Sequence, residues 1–135
     1  MRLVLAALIA IASPTGGALK PPVIHEPFTQ LPCPAHPKTT LAMEGCYEQA
    51  IVSTDRKIDT QAGVVFRLLR SHALRVTFVR GEWSWLVYRH DSCAAASSAF
   101  AGGSFGPVSA AICILDRSKA HLRDLVAVRK TLSVH

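Results

Sequence analysis

The fold is decided by residues 85–113, which read WLVYRHDSCAAASSAFAGGSFGPVSAAIC. Cys93 and Cys113 lie on either side of a turn signal, the glycines Gly102 and Gly103. Glycine adopts positive φ angles at little cost, so the pair suits a reversal of the chain. A disulfide between the two cysteines would then hold the segments before and after the turn together. We therefore predict a helical hairpin that is closed by a disulfide.

A second cysteine pair, Cys33 and Cys46, lies upstream. Four cysteines allow three pairings, and the pairing that closes the shortest loops costs the least chain entropy. This favours Cys33–Cys46 and Cys93–Cys113. An even cysteine count behind an export signal is typical of a disulfide framework rather than of reactive thiols.

The first eighteen residues have the pattern of a secretory signal peptide. Arg2 supplies the positive start, residues 3–12 form an apolar run, and small residues at 10–12 or 16–18 suit cleavage. The run is shorter than the roughly 20 residues that a transmembrane helix needs. We predict a signal peptide over residues 1–18, no transmembrane segment, and a protein that is periplasmic or secreted. Without Arg2, 14 basic residues against nine acidic ones leave a net charge of +5.

Residues 19–38 are rich in proline and are predicted to form an extended lead-in, because proline lacks an amide donor and disfavours helix in the residue before it. The helical domain is predicted over residues 39–135. Its first helix should run from Thr39 or Thr40 towards Leu69, and the second should begin near Ser71 or Ala73.

The second and third helices show apolar residues at helical spacing. On the second helix one face carries Leu74, Phe78, Gly81, Trp85, Tyr88 and Ser92. This helix should end within residues 94–100, with the turn at residues 101–106 and Pro107 in the first turn of the third helix. The stripe of the third helix consists of Val108, Ala111, Ile112, Leu115, Leu122 and Val126. The predicted fold class is all-α, a disulfide-stapled antiparallel bundle of about three main helices.

These residues resemble the LprI-like lysozyme inhibitor family of bacterial envelope proteins. The matching positions are Cys33, Cys46, Asp55, Trp85, Tyr88, Arg89, Cys93, Gly102, Gly103, Ser104, Cys113, Lys119 and Leu122. Where family members often carry glutamine, asparagine and tyrosine, this chain has Glu82, Asp59 and Ala62. The resemblance implies an inhibitor of lysozyme-type muramidases.

Several of these residues admit a structural and a functional interpretation. Trp85 and Tyr88 are interpreted mainly as core residues, and Arg89 as the partner of Asp55 across the bundle; an exposed anchor for a partner is the alternative. Gly102 and Gly103 are interpreted as structural residues of the turn. Candidate partner-binding residues are Ser104 and Phe105 at the turn, with Glu48 and Asp55 on the first helix as the alternative site.

Catalysis finds little support in the sequence. The six histidines are scattered. His90 and Cys93 have a helical i, i+3 spacing that could share a metal, but a disulfide is the stronger interpretation of Cys93. Residues 102–106 match the letters of a Gly-x-Ser-x-Gly elbow, but they lie between two predicted helices, whereas a nucleophile elbow follows a strand. No phosphate-binding glycine loop is present. We predict a protein that is not an enzyme and that has no cofactor and no metal.

Two functions remain. The first is inhibition of a lysozyme-type muramidase, as the resemblance implies. The second is a basic structural or adaptor protein that binds anionic envelope polymers or an acidic partner through its basic third helix, where Arg117, Lys119, Arg123 and Arg129 lie. Nucleic acid is not expected as a partner after export.

Overall fold

Three long helices make up most of the chain that the structure describes. The computed structural model describes residues 17–134, so the predicted signal peptide lies almost wholly outside the described residues. The helices are α1 (Thr40–Leu68), α2 (His72–Ser97) and α3 (Phe105–Ser133), with a short 3-10 helix, Ser98–Phe100, before α3. Residues 17–134 contain no strand. The predicted all-α class is confirmed.

The helix starts follow capping signals in the sequence. The Thr39 side chain accepts a hydrogen bond from the Ala42 amide at 3.1 Å, and the Ser71 side chain accepts one from the Leu74 amide at 3.2 Å. Each bond satisfies an amide that has no partner inside the first helical turn. Both predicted starts are confirmed, and a connection of three residues, 69–71, joins the two helices. α2 runs antiparallel to α1, because Arg75 lies over Phe66 near the connection and Arg89 bonds to Asp55 farther from it.

The turn between α2 and α3 is shorter than predicted. Phe105 and Gly106 belong to α3 rather than to the turn. Gly102 has a φ of 82°, a backbone conformation that residues with a Cβ atom rarely adopt, which confirms its role in the chain reversal. Pro107 lies in the first turn of α3, as predicted.

Both predicted disulfides are present. Cys33–Cys46 joins the proline-rich segment to α1, and Cys93–Cys113 joins α2 to α3. Their Cα–Cα distances of 4.5 and 5.5 Å lie in the ordinary range for a disulfide. No cysteine of the chain is left free.

Residues 19–38, called the strap from here on, lie extended along α1. The Ile24 amide donates to Asp59 Oδ1 at 3.1 Å, and the Leu31 amide donates to Glu48 Oε2 at 3.1 Å. The strap therefore runs antiparallel to α1 and ends near the first disulfide. The strap contains neither helix nor strand, and its two bonds to α1 make it an integral part of the packing.

The core is divided into two apolar clusters between α1 and α3. The first consists of Ile58, Ala62, Val65 and Leu125, and the second of Ile51, Ala111 and Leu115. The strap packs Ile24 against the first cluster and Phe28 against the second. α3 lies along both α1 and α2, whereas α1 and α2 have little direct contact with each other. The strap borders α1 on one side and α2 on the other. The predicted apolar stripe of α3 is confirmed for its buried members Val108, Ala111 and Leu115.

The inward face of α2 differs from the prediction. Leu74 and Tyr88 are 53% and 52% exposed, so the core position predicted for Tyr88 is wrong. The buried residues of α2 are Val79, Glu82, Arg89 and Cys93. Successive residues of an α-helix point about 100° apart, and turning Arg89 inward leaves Tyr88 in solvent. The prediction failed because it followed the large apolar side chains, whereas α2 turns polar residues towards the core.

Gly45 marks the closest approach of the strap to α1. A Cβ atom at this position would overlap the carbonyl oxygen of Pro32 and would lie 3.0 Å from Leu31 Cβ. We expect Gly45→Ala to lower the free energy of unfolding by about 1–3 kcal/mol, because the added methyl group displaces the strap. Urea denaturation measures the change.

The control is Gly81→Ala, the same substitution inside α2, where an added Cβ meets nothing within 4 Å. It should raise the free energy of unfolding by about 1 kcal/mol, the difference in helix propensity between glycine and alanine. Equal shifts in the two variants would contradict the close approach of the strap.

Candidate functional site

A buried polar layer separates the two apolar clusters. Arg89 Nη1 donates to Asp55 Oδ1 of α1 at 2.9 Å and to Ser118 Oγ of α3 at 2.9 Å. Arg89 Nη2 donates to Glu26 Oε1 of the strap at 2.6 Å. Arg89, Asp55 and Ser118 are 7%, 3% and 0% exposed. One guanidinium thus joins α1, α2, α3 and the strap, and the predicted pair of Arg89 with Asp55 is confirmed.

The layer places one cation against two carboxyl groups. The pKa of Asp55 is raised to about 7, mainly by burial and in addition by the nearby Glu26 carboxyl, while the charge of Arg89 and the hydrogen bond from Ser118 lower it. A proton on Asp55 leaves one cation facing one carboxylate. Asp55 Oδ2 is buried and forms no hydrogen bond within the described chain, so it is the atom on which that proton fits.

The two candidate contact residues on α1 are buried. Glu48 is 4% exposed and accepts the hydrogen bond of the Leu31 amide, and Asp55 is 3% exposed and pairs with Arg89. Both carboxyl groups are therefore used inside the fold. Neither presents its side chain to a partner in this structure.

The aromatic residues of the α2 motif are divided between core and surface. Trp85 is partly buried and stacks on His121 of α3, with ring centroids 3.9 Å apart. His121 Nε2 lies 3.0 Å from Glu82 Oε2. Tyr88 is exposed, and the guanidinium of Arg117 lies 5.4 Å from its ring centroid. Trp85 therefore helps to fix α2 against α3, and Tyr88 lies outside that contact.

The α2–α3 turn carries two exposed phenylalanines. Phe100 and Phe105 are 44% and 38% exposed, and their rings meet edge to face with centroids 5.1 Å apart. Inside the turn, the Gly103 amide donates to the Phe100 carbonyl at 3.1 Å, and the Gly106 amide donates to the Gly103 carbonyl at 3.2 Å. The aromatic pair thus lies on a hydrogen-bonded turn.

Ser104 lies beside this aromatic pair, directly before α3. It occupies the capping position, yet its side chain makes no capping hydrogen bond. Ser104 and Phe105 are both exposed, as the hypothesis of an accessible turn requires. The turn therefore offers an apolar surface with one hydroxyl group that is free to bond elsewhere. Its role in binding remains a prediction.

Three residues of interest escaped the sequence analysis. Phe100 lies across the two glycines from Phe105, and aromatic residues on both sides of a turn are a signal for such a pair. Glu26 is the one acidic residue of the strap, but no spacing rule connects it to Arg89. Trp83 is 56% exposed, and its place on the opposite side of α2 from Trp85 could have been read from the helical period.

Metal binding and membrane insertion find no support in the part of the chain that the structure describes. No group of three or more histidine, cysteine, aspartate or glutamate residues within 17–134 could hold a metal ion. No helix in that range is long and apolar enough to cross a bilayer.

Comparison with known proteins gives one match. A protein-family model described as lysozyme inhibitor LprI matches residues 33–125. The matched range begins at the first cysteine and ends within α3, so it includes both disulfides, the α2–α3 turn and the polar-layer residues Asp55, Arg89 and Ser118. No curated protein and no solved structure gives a significant match.

The raised pKa of Asp55 predicts a pH-dependent stability. The ordinary pKa of this carboxyl is 3.8, and in the fold it is about 7, so the folded state binds the proton more tightly. The proton on Asp55 therefore stabilises the fold fully below pH 3.8, and this stabilisation is lost as the pH rises to about 7. We expect the free energy of unfolding to fall between about pH 4 and pH 7, with a slope of up to about 1.4 kcal/mol per pH unit from this group.

Asp55→Asn tests this, because it removes the titrating group and keeps an oxygen acceptor for Arg89. Burial also raises the pKa of Glu44 and of Asp59, but both remain in the variant and cancel in the difference. The control is Asp124→Asn at an exposed position on α3, which should keep the slope. Urea denaturation across this pH range would refute the idea if the Asp55→Asn curve ran parallel to that of the parent.

Proposed function

Because the chain belongs to the LprI lysozyme inhibitor family, we propose that it is an exported protein that binds lysozyme-type muramidases of the bacterial envelope and inhibits them, without being an enzyme itself. Family membership is the observation that carries this proposal. Two disulfides suit an oxidising compartment outside the cytoplasm. The predicted signal peptide over residues 1–18 would direct the chain there, to the periplasm or beyond the cell.

We assign the muramidase contact to the α2–α3 turn, with Phe100, Ser104 and Phe105 as the contacting side chains. Their exposure and the free Ser104 hydroxyl support the assignment. Phenylalanine, like the other aromatic residues, is enriched in the buried centres of protein interfaces. The turn is held at its base by Cys93–Cys113, and a preorganised loop loses less conformational entropy on binding than a mobile one.

The charge distribution also favours the turn. The chain carries an excess of basic residues, and lysozymes are commonly cationic, so the two proteins would repel each other at long range. Residues 92–115 contain no charged side chain at all. A contact made through this uncharged stretch keeps the basic residues of α3 away from the interface. Inhibition would then arise because the turn occupies the cleft that otherwise holds the polysaccharide.

One observation favours the alternative, an adaptor that binds anionic envelope polymers or an acidic partner. Lys119, Arg123 and Lys130 are all exposed, and their spacing places them on one face of α3. None of them forms an ion pair with a described residue. Binding through this face should weaken steeply with added salt, because it rests on exposed charges. Inhibition through the uncharged turn should change little.

The muramidase assignment predicts the effect of shortening the turn side chains. Ser104→Ala combined with Phe105→Ala should weaken inhibition about tenfold, which corresponds to about 1.4 kcal/mol of binding free energy. Thermal unfolding should change little, because both residues are exposed. A turbidity assay of muramidase activity on cell walls, at several inhibitor concentrations, measures the effect.

The matched control is Val128→Ala, which shortens an apolar side chain that is 44% exposed and lies far along α3 from the turn. It should inhibit as the parent does. Full inhibition by the double variant would exclude the turn as the contact. A parent protein that does not inhibit but binds anionic polymer in a salt-sensitive way would establish the adaptor in place of the inhibitor.

A further inference from the structure

The outer side of α2 carries an apolar surface that nothing in the fold covers. Trp83 and Val87, one helical turn apart, are 56% and 59% exposed. Exposing a tryptophan side chain to water to this extent costs free energy, because its ring is among the largest apolar surfaces that a side chain can bury. The surface continues along the helix through the partly buried Val76 and the exposed Ala94.

The strap widens this surface. Val23 is 55% exposed and lies across a shallow cavity of about 350 Å³ from Trp83, with Pro27 at its side. Several exposed apolar side chains therefore adjoin one another on one side of the molecule. Contiguous apolar patches of this kind mark interaction sites more often than scattered exposed residues do.

The spacing along α2 identifies the shape of the occupant. One stripe along the exposed side of α2 contains Val76, Arg80, Trp83, Val87, His90 and Ala94, which alternate in steps of four and three. This is an average period of 3.5 residues, the repeat with which one helix packs lengthwise against another. The surface therefore fits a second helix whose exposed residues follow the same repeat. We call the stripe of residues 76, 80, 83, 87, 90 and 94 the α2 seam.

The seam is also complementary to itself. In an antiparallel arrangement centred on position 85, Trp83 of one helix faces Val87 of an identical helix, and Val76 faces Ala94. Arg80 then faces His90 and reaches the adjoining Asp91, so that two opposite charges meet on each side of the two-fold axis. In a two-fold symmetric contact each of these interactions occurs twice, which is the arrangement found in closed symmetric dimers.

The two charged residues have no other use in the fold. Arg80 forms no ion pair with any described residue, and Asp91 has only the neighbouring His90, at 3.0 Å, with both side chains largely exposed. Arg80 and Asp91 are eleven positions apart on one helix, about 16 Å along its axis, so they cannot meet within one chain. They can meet only between two copies.

We propose that this face of α2 is a self-association surface on which a second copy of the chain packs antiparallel, with Trp83 at its centre and two Arg80–Asp91 pairs at its sides. Antiparallel α2 helices direct the two α2–α3 turns to opposite ends of the dimer. Both turns stay accessible, so the dimer presents two separate contact sites. The proposal concerns assembly and does not rest on the inhibitory function.

The experiment is sedimentation equilibrium of the chain with both disulfides formed, over a range of protein concentrations up to about 1 mM. We expect a monomer–dimer equilibrium. Arg80→Asp alone and Asp91→Arg alone should each raise the dissociation constant about tenfold, because each replaces two attractions with two repulsions. The variant with both substitutions should return to the parental value, since the opposite charges face each other again.

Restoration by the double charge exchange is the decisive result, because the two positions cannot compensate each other within one chain. Trp83→Ala should also raise the dissociation constant at least tenfold while circular dichroism stays unchanged. The matched control is Lys119→Asp, the same kind of charge reversal at an exposed position of α3, which should leave the constant unaltered. A parent that stays monomeric at about 1 mM, or a double exchange that fails to restore association, overturns the proposal.

Discussion

The guanidinium of Arg89 is the group on which the rest of the structure depends. It starts from α2 and bonds to α1, α3 and the strap at once, through Asp55, Ser118 and Glu26. A buried cation is tolerable only where such partners surround it, and removing one partner of a buried ion pair costs about 3–5 kcal/mol. Any sliding of the helices by one turn would leave this charge unpaired. The polar layer therefore fixes the relative heights of the helices, which the apolar clusters on either side of it could not do alone.

The features that sequence reasoning predicted correctly are those with local causes. Thr39 and Ser71 start helices through bonds to amides three residues away, and Gly102 reverses the chain through its own φ angle. The disulfides also close short loops, of 13 and 20 residues. The pair of Arg89 with Asp55 was within reach because a buried helix position that carries a charge needs an opposite charge on a neighbouring helix.

The features that escaped prediction depend on residues far apart in the chain. The strap has no periodicity from which its position could be read, and Glu26 meets Arg89 across 63 residues. The inward face of α2 was misjudged for the same reason, since what turns Arg89 inward lies on three other segments. Glu48 and Asp55 were proposed as surface contacts because a carboxylate that bonds to the strap or to Arg89 looks, in sequence, like one that faces water.

The position of the strap has a consequence for the order in which the molecule folds. The strap precedes every helix in the chain, yet its bond from Glu26 to Arg89 can form only after α2 has come to lie beside α1. The strap must therefore wait for α2 before all of its contacts can form. The loop closed by Cys33–Cys46 favours that contact, because it tethers one end of the strap to α1. Less chain entropy is then lost when the other end docks. The complete set of strap contacts therefore requires both α1 and α2, and the bond between Glu26 and Arg89 is the one that needs α2.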